Sequence, residues 1–436
     1  MNETDTLSPE SSPLRIANFR AYFVSRLTMT LAQYAMMLII GWQTYNIARD
    51  SGLGVAEASG QLALIGLLQF VPLFLLTPFS GWAADHFDRR NVARLTMLAQ
   101  LGCAATLTWF TWSETLTITA LFGVAIVLGI VRAFNGPALS ALAPNLVPKT
   151  ILPNAIALSS IAWQTGMIVG PAIGGYTHAI YPALPYAFAC VLFGVAITAL
   201  SFIGKVPQPP REANKRPIHQ MVEGLRYVVR NKMVLGAITL DLFAVFLAGA
   251  TALFPVFARD ILQVGETGLA QLAMAPAVGA ALTALWFSFR PLKTNVGPRM
   301  LWAVGIFGMA TIIFGFSKWM PLSLAMLFIV GAADMFSVYI RQSLIQLHTP
   351  DDKRGRVSSV SLLTISASNE FGDFFSGSLA FLIGPVFAVV GGGVGAIVTV
   401  AIWARIFPVL RTTRTFDPPE ELLDSPPEEK LQEQMP

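Results

Sequence analysis

The chain has 436 residues, of which 54% are hydrophobic and only 12% charged, with a mean hydropathy of +0.61. Soluble domains carry ~25% charged residues, so a water-soluble globule is excluded and a polytopic membrane protein is indicated. The formal net charge of +4 is not read as nucleic-acid affinity, because where the charges sit matters more than their sum. Cys103 and Cys190 both fall inside apolar segments, so neither a disulfide framework nor a metal site is implied.

In chain order, residues 1–14 are polar, carry Glu3, Asp5 and Glu10, and read as a mobile N-terminus. The first apolar segment is too long for a cleaved signal peptide and is expected to stay as a spanning helix. Twelve apolar segments follow, each near the ~20 residues that cross a bilayer. They are placed at 19–47, 61–84, 92–112, 118–147, 153–177, 183–204, 233–258, 268–289, 299–316, 321–347, 356–380 and 384–409. The expected fold is therefore all-α: twelve transmembrane helices in two pseudo-symmetric six-helix bundles, 15–204 and 233–410. A basic loop, 205–232, joins the bundles, and 411–436 reads as an acidic, proline-rich, disordered tail.

Basic residues crowd one set of loops, among them Arg89, Arg90, Arg94, Arg226, Arg230, Lys353 and Arg356, whereas the opposite loops hold only Arg49, Arg259 and Lys318. The positive-inside rule then places both termini and the central loop in the cytoplasm. The chain is also duplicated. At an offset of 202 positions Gly129 meets Gly331, Leu142 meets Leu344, Pro148 meets Pro350, Gly170 meets Gly372 and Gly175 meets Gly377, without a gap. Two six-helix halves joined by a cytoplasmic loop is the parallel-repeat plan of a transporter that rocks about a central site.

The fifth segment holds Gly166, Gly170, Pro171, Gly174 and Gly175 in the pattern G-x-x-x-G-P-x-x-G-G. Glycine every fourth residue clears one helix face for a neighbouring backbone, and Pro171 removes a donor and bends the helix. A bent, closely packed membrane helix is expected, either as plain packing or as a seam between the two halves. Between segments 2 and 3, GWAADHFDRR supplies Gly81, Asp85, Arg89 and Arg90. Asp85 beside the start of segment 3 suits a cytoplasmic latch, although topology alone would account for the arginines.

On these residues the chain resembles the major facilitator superfamily. The glycine–proline stretch matches the antiporter motif that the family carries in its fifth helix. Gly81, Asp85, Arg89 and Arg90 match its loop motif, with His86 and Asp88 departing from it, and Arg132, Asn135 and Gly136 fit its fourth-helix pattern with Asn in place of Gln. Segments 132–148, 241–243 and 254–260 are similar to the drug:proton antiporter branch and to enterobactin-exporter-like proteins. The resemblance implies that helices 1, 4, 7 and 10 line a central cavity.

Ionisable groups within the membrane cost about 2.5–3.5 kcal/mol each to insert and are functional candidates by default. They are Arg26, Arg132, Asp241, Asp334, Glu370 and Asp373. The arginines lie in the first half and the aspartates in the second, which suggests ion pairs across the cavity. Ser366, Glu370, Asp373 and Gly377 share one face of segment 11. Paired carboxylates in low dielectric suit proton uptake near neutral pH; a permanent structural salt bridge is the alternative. Thr30, Gln33, Tyr34 and Met37, with Asn135, form a mixed polar and soft stripe fit for either a cavity wall or interhelical packing.

There is no phosphate-binding Gly-Lys loop, so ATP is not the expected energy source, and no nucleophile–base pairing marks an enzyme. The reading is a secondary exporter of a small amphipathic molecule, drug-like or siderophore, by proton antiport. Its partners are that substrate, protons and the bilayer, with no cofactor, metal or nucleic acid and with a monomer expected. An importer on the same fold and a non-transporting sensor or secretion accessory are the rivals.

Overall fold

The computed structural model describes residues 12–204, 217–290 and 292–416, which are helical with no strand among them. The first bundle holds α1 (Ala17–Asp50), α2 (Val55–His86), α3 (Arg89–Trp112), α4 (Ile118–Leu142), α5 (Leu152–Ile180) and α6 (Leu184–Ser201). A separate helix, α7 (Pro217–Arg230), precedes the second bundle. That bundle holds α8 (Lys232–Leu247), a short turn α9 (Phe254–Val256), α10 (Gly265–Phe289), α11 (Val296–Phe316), α12 (Met320–Leu347), α13 (Asp351–Ile383) and α14 (Pro385–Ile406), followed by α15 (Pro408–Thr412).

Among the described residues, 10 helices are long and apolar enough to cross a membrane. The two remaining long helices of the expected twelve are α3, which opens on Arg89, Arg90 and Arg94, and α13, whose first half is polar. Among the described residues of α13, Phe371–Ile383 forms an apolar stretch. Each bundle has its own buried core. Phe19, Tyr22, Met36, Leu107 and Phe193 belong to the first. Val234, Met300, Leu344 and Leu410 belong to the second. A third cluster joins the halves at the end opposite the termini through Trp42, Tyr45, Phe254 and Phe257.

The duplication is visible in the packing. Gly129 lets α4 lie against α2, where a Cβ would strike the Gln69 carbonyl oxygen. Its counterpart Gly331 lets α12 lie against α10, where a Cβ would strike the Pro276 carbonyl oxygen. Gly175 of α5 meets Ala270 of α10, and its counterpart Gly377 of α13 meets Ala63 of α2. The same repeat position thus makes both cross-half contacts, α5 on α10 and α13 on α2.

Five expected boundaries are corrected. The loop 205–232 contains a helix, because Pro217–Arg230 alternates apolar and basic residues at helical spacing. Residues 12–14 of the expected mobile N-terminus pack down, with Pro13 buried in a short 3₁₀ turn. The first residues of the expected tail also dock: Val296 donates to the Arg414 carbonyl at 3.3 Å and Gly297 to that of Thr413 at 3.1 Å. Segment 233–258 is not one helix, since α8 stops at Leu247 and the chain passes Gly249 and Pro255 before a π turn at Phe257–Ile261. The expected segment 384–409 similarly breaks, with α14 ending at Ile406 and α15 starting at Pro408.

Candidate functional site

Two buried charges of opposite sign meet inside the second half. Asp241 of α8 forms an ion pair with Arg341 of α12, both nearly closed to solvent, with side chains 9% and 4% exposed. Asp334 lies two turns before Arg341 on the same face of α12. It shares a small cavity with Asp241, Ser337, Val245, Val304 and Phe307. Among the described residues the Asp334 carboxylate has no hydrogen-bond or ion-pair partner. At ~1.5 Å per residue Arg341 stands ~9 Å, and Asp334 ~20 Å, from the Leu347 end of α12. The cluster is therefore two carboxylates against one guanidinium, formally one negative charge in a low-dielectric setting. One proton brings it to neutrality. The Arg341 Nε is buried without a hydrogen-bond partner, so the guanidinium is held by charge more than by a full set of bonds.

The expected pairing of a first-half arginine with Asp241 is corrected. Asp241 finds its partner within its own half, in Arg341, a residue the sequence reading passed over. Arg26 instead donates to the Tyr22 hydroxyl at 3.2 Å, and that hydroxyl lies 3.0 Å from the Ser159 hydroxyl, tying α1 to α5. Arg132 donates to the Gln69 side-chain oxygen at 3.4 Å. Asp373 accepts from the Thr251 hydroxyl at 3.2 Å. It sits where α13 meets Gly66 of α2, between the halves. The side chains of Glu370 and Ser366 lie outside the described residues.

Beside Asp373 an aromatic cluster bridges the halves. Phe70 of α2 is 5.2 Å from Phe371 of α13, which stacks on Phe246 of α8 at 5.4 Å, and Phe246 in turn meets Phe375 at 4.7 Å. Phe371 remains 38% exposed, so its ring offers free apolar surface next to a carboxylate. The α1 stripe divides. Gln33, Tyr34 and Met37 are half-buried, as a cavity wall requires. Thr30 is not part of that wall: it is 1% exposed and pressed against Gly166. Asn135 is buried in the first-half core, accepting from Thr96 at 3.3 Å and facing the Met29 sulfur at 2.9 Å. Both are corrected from cavity to packing.

The α5 motif packs tightly, but mostly within its own half. Cβ atoms at Gly166, Gly170 and Gly174 would come within 2.5–2.7 Å of Thr30, Tyr34 and the Ala35 carbonyl oxygen of α1. Pro171 is buried with them. Only Gly175 faces the other half. The glycine face at Gly166, Gly170 and Gly174 is thus an α1–α5 seam, and from Gly175 onward α5 packs across the halves on α10, with Tyr176 meeting Gln271 at 3.5 Å. The loop motif is likewise internal where it is described. Arg90 pairs with Asp88 at 2.5 Å and donates to the Ile203 carbonyl at 2.9 Å, joining the start of α3 to the end of α6. Asp88 also caps α3 by accepting from the Arg90 backbone at 2.9 Å. The Arg90 guanidinium holds the Asp88 carboxyl below the usual carboxylate range. Arg89 is half-buried. The surroundings of Gly81 and the Asp85 side chain lie outside the described residues.

At the far end from the termini the halves are clasped. Ala48, Arg49 and Asp50 close α1, and the same tripeptide, Ala258, Arg259 and Asp260, sits in the π turn after α9. Arg49 pairs with Asp260 at 3.1 Å and Arg259 with Asp50 at 2.5 Å, so the two copies cross-link reciprocally. The Tyr45 hydroxyl donates to Asp260, and Arg259 donates to Asn46 at 2.6 Å. Nearby, His178 of α5 lies 3.7 Å from Glu266 of α10.

The model of the Major Facilitator Superfamily matches residues 19–372. The chain belongs to this superfamily. It is 23% identical over 423 residues to the enterobactin exporter EntS of Escherichia coli, covering 95% of this chain and 97% of that one. It is 25% identical over 334 residues to the multidrug efflux pump Tap of Mycobacterium tuberculosis, covering 74% of this chain and 79% of that one. Among solved structures it is similar in fold to a D-xylose–proton symporter, with a TM-score of 0.66 at 14% identity over 90% of this chain and 98% of the other. A bacterial homolog of the human lysosomal transporter Spinster gives the same TM-score at 16% identity, over 91% and 99%. The chain is thus a membrane transporter of the superfamily, with efflux proteins among its relatives.

Proposed function

We propose that the protein exports a small amphipathic molecule across the cytoplasmic membrane in exchange for protons, with both termini in the cytoplasm. The observation that carries this reading is the unpartnered Asp334 carboxylate beside the Asp241–Arg341 pair. A cluster that alternates between one negative charge and none changes its electrostatic energy strongly in a low-dielectric interior, and such a change can bias two conformations. The reciprocal clasp at the far end fits an outer gate in its closed position, leaving substrate to enter from the cytoplasmic side. Half-buried Gln33, Tyr34 and Met37, with the Phe70–Phe371–Phe246 rings and Asp373, offer mixed polar and aromatic surface for an amphipathic ligand. The efflux relatives direct the first substrate trials to drug-like compounds and siderophores.

The test is transport in proteoliposomes. An imposed pH gradient should accelerate substrate movement at least tenfold, and Asp334→Asn should remove that acceleration while leaving substrate binding in place. Transport indifferent to the gradient in the parent chain would overturn proton coupling. Raised cellular accumulation of the substrate on deletion separates export from import.

A further inference from the structure

Helix α7 lies outside both bundles and is only half covered. Its inner face is held firmly at the corner of α12 and α13. Val228 is 2% exposed, Tyr227 donates to the His348 carbonyl at 2.9 Å, and Glu223 pairs with Arg356 at 2.8 Å. Gly224 sits so close to the Arg356 backbone that a Cβ there would stand 2.8 Å from its carbonyl oxygen. The outer face carries Val222, Leu225 and Val229, 46–57% exposed, in one stripe at spacings of three and four. Arg226 and Arg230, both exposed, border that stripe along one side. One residue beyond Arg230 the chain enters α8, a membrane span.

We infer that α7 is an interfacial helix whose outer stripe rests in the cytoplasmic leaflet and whose Arg226 and Arg230 take anionic lipid headgroups. An apolar stripe flanked by arginines is the pattern that lies in the plane of a membrane surface, and α7 joins a membrane span with no room to leave that surface. Charge decides between the two surfaces within reach. The first half touches α7 through α2 and presents Arg94 at that end, which is already turned to Asn91 and the Leu200 carbonyl, whereas an anionic leaflet attracts the arginines and takes the apolar stripe beside them. Because α7 is clamped to the start of α13 through Arg356, lipid that seats α7 also fixes the cytoplasmic end of the helix that carries Asp373.

The experiment places Leu225→Cys in the full-length chain with Cys103→Ala and Cys190→Ala, labels it with an environment-sensitive fluorophore, and reconstitutes it into phosphatidylcholine vesicles with or without phosphatidylglycerol. Quenching by doxyl-labelled lipid should exceed quenching by aqueous iodide, and the excess should grow with phosphatidylglycerol. R226Q and R230Q should each weaken that growth about fivefold, equivalent to ~1 kcal/mol per arginine near an anionic surface. Iodide quenching that ignores lipid composition would show a water-facing stripe and overturn the inference. So would an efficient disulfide between Leu225→Cys and Phe79→Cys of α2, which would seat α7 on the first half instead.

Discussion

The two halves share a backbone plan and differ in how they hold charge inside the membrane. Gly129 and Gly331 do the same packing job, as do Gly175 and Gly377. At the matched positions 132 and 334, however, the first half has arginine and the second aspartate. Arg26 donates to the neutral Tyr22 hydroxyl while its Nε stays buried without a hydrogen-bond partner, and one Arg132 nitrogen donates to the neutral Gln69 oxygen. The second half brings a guanidinium against a carboxylate and leaves another carboxylate alone beside them. Close backbone contact restricts what the glycine positions can become, while the charges are free to diverge; among the described residues the carboxylates inside the bundles, Asp241, Asp334 and Asp373, all lie in the second half.

The largest effect that tests this asymmetry is expected at Arg341. Arg341→Gln leaves Asp241 buried and unpaired, at a cost of about 3–5 kcal/mol, and should lower the yield of folded protein severely. Arg26→Gln removes a charge bonded to a neutral oxygen and should cost about 1.5 kcal/mol. Thermal melts in detergent compare the two. A double variant, Arg341→Leu with Asp241→Leu, keeps the gap apolar and should recover the melting temperature without recovering gradient-driven transport. Equal losses for Arg341→Gln and Arg26→Gln would erase the distinction between the halves.

Overpacking comes next. Gly331→Ala drives a methyl into the Pro276 carbonyl and Gly129→Ala into that of Gln69, and each should cost about 1–3 kcal/mol. Matching losses would sustain the shared plan. A tolerated Gly129→Ala alone would show that the first half's α2–α4 contact has room the second half's lacks.

Asp88 offers a smaller effect on the cytoplasmic side. Asp88→Ala should cost about 1 kcal/mol through the lost α3 cap, and Asp88→Asn less, because Asn also caps. Its sign with pH follows from Arg90. A carboxyl whose folded value is depressed adds stability above the unfolded value of ~3.9 and loses it as pH falls through the lower folded one. The parent should therefore lose melting temperature into the acid range by a margin that Asp88→Asn removes.

Fold and repeat were legible in the residues because bilayer thickness dictates segment length and glycine marks close helix approach; the 202 offset alone paired α5 with α13 correctly. The partner choices were not. Arg341 stands six residues from the end of α12 and nothing local marks it as a partner, yet its spacing of seven from Asp334 is a signal that they share a face. Thr30 and Asn135 looked like cavity residues from spacing on single helices, but which face turns inward depends on neighbours, and Gly166 and Met29 claim them. The α7 stripe was hidden inside a stretch whose prolines and charges mimic a loop.

The repeated Ala-Arg-Asp tripeptide has both halves contribute the same charged groups to one contact, and it gives the smallest and sharpest test. Arg49–Asp260 and Arg259–Asp50 are partly exposed, so each should be worth only ~0.2–1 kcal/mol. That barely moves stability but does move a conformational balance, since 1.4 kcal/mol is tenfold in population. Asp50→Asn should raise the labelling rate of a cysteine placed at Gly41, which faces Pro255 beneath the clasp, by two- to fivefold, and Asp260→Asn by more, because Asp260 also accepts from Tyr45. Exchanging the charges as Arg49→Asp with Asp260→Arg should return the rate toward the parent value. Labelling unchanged by any of these would make the tripeptide a surface ornament of the repeat and leave the apolar contacts of Trp42, Phe254 and Phe257 to close that end by themselves.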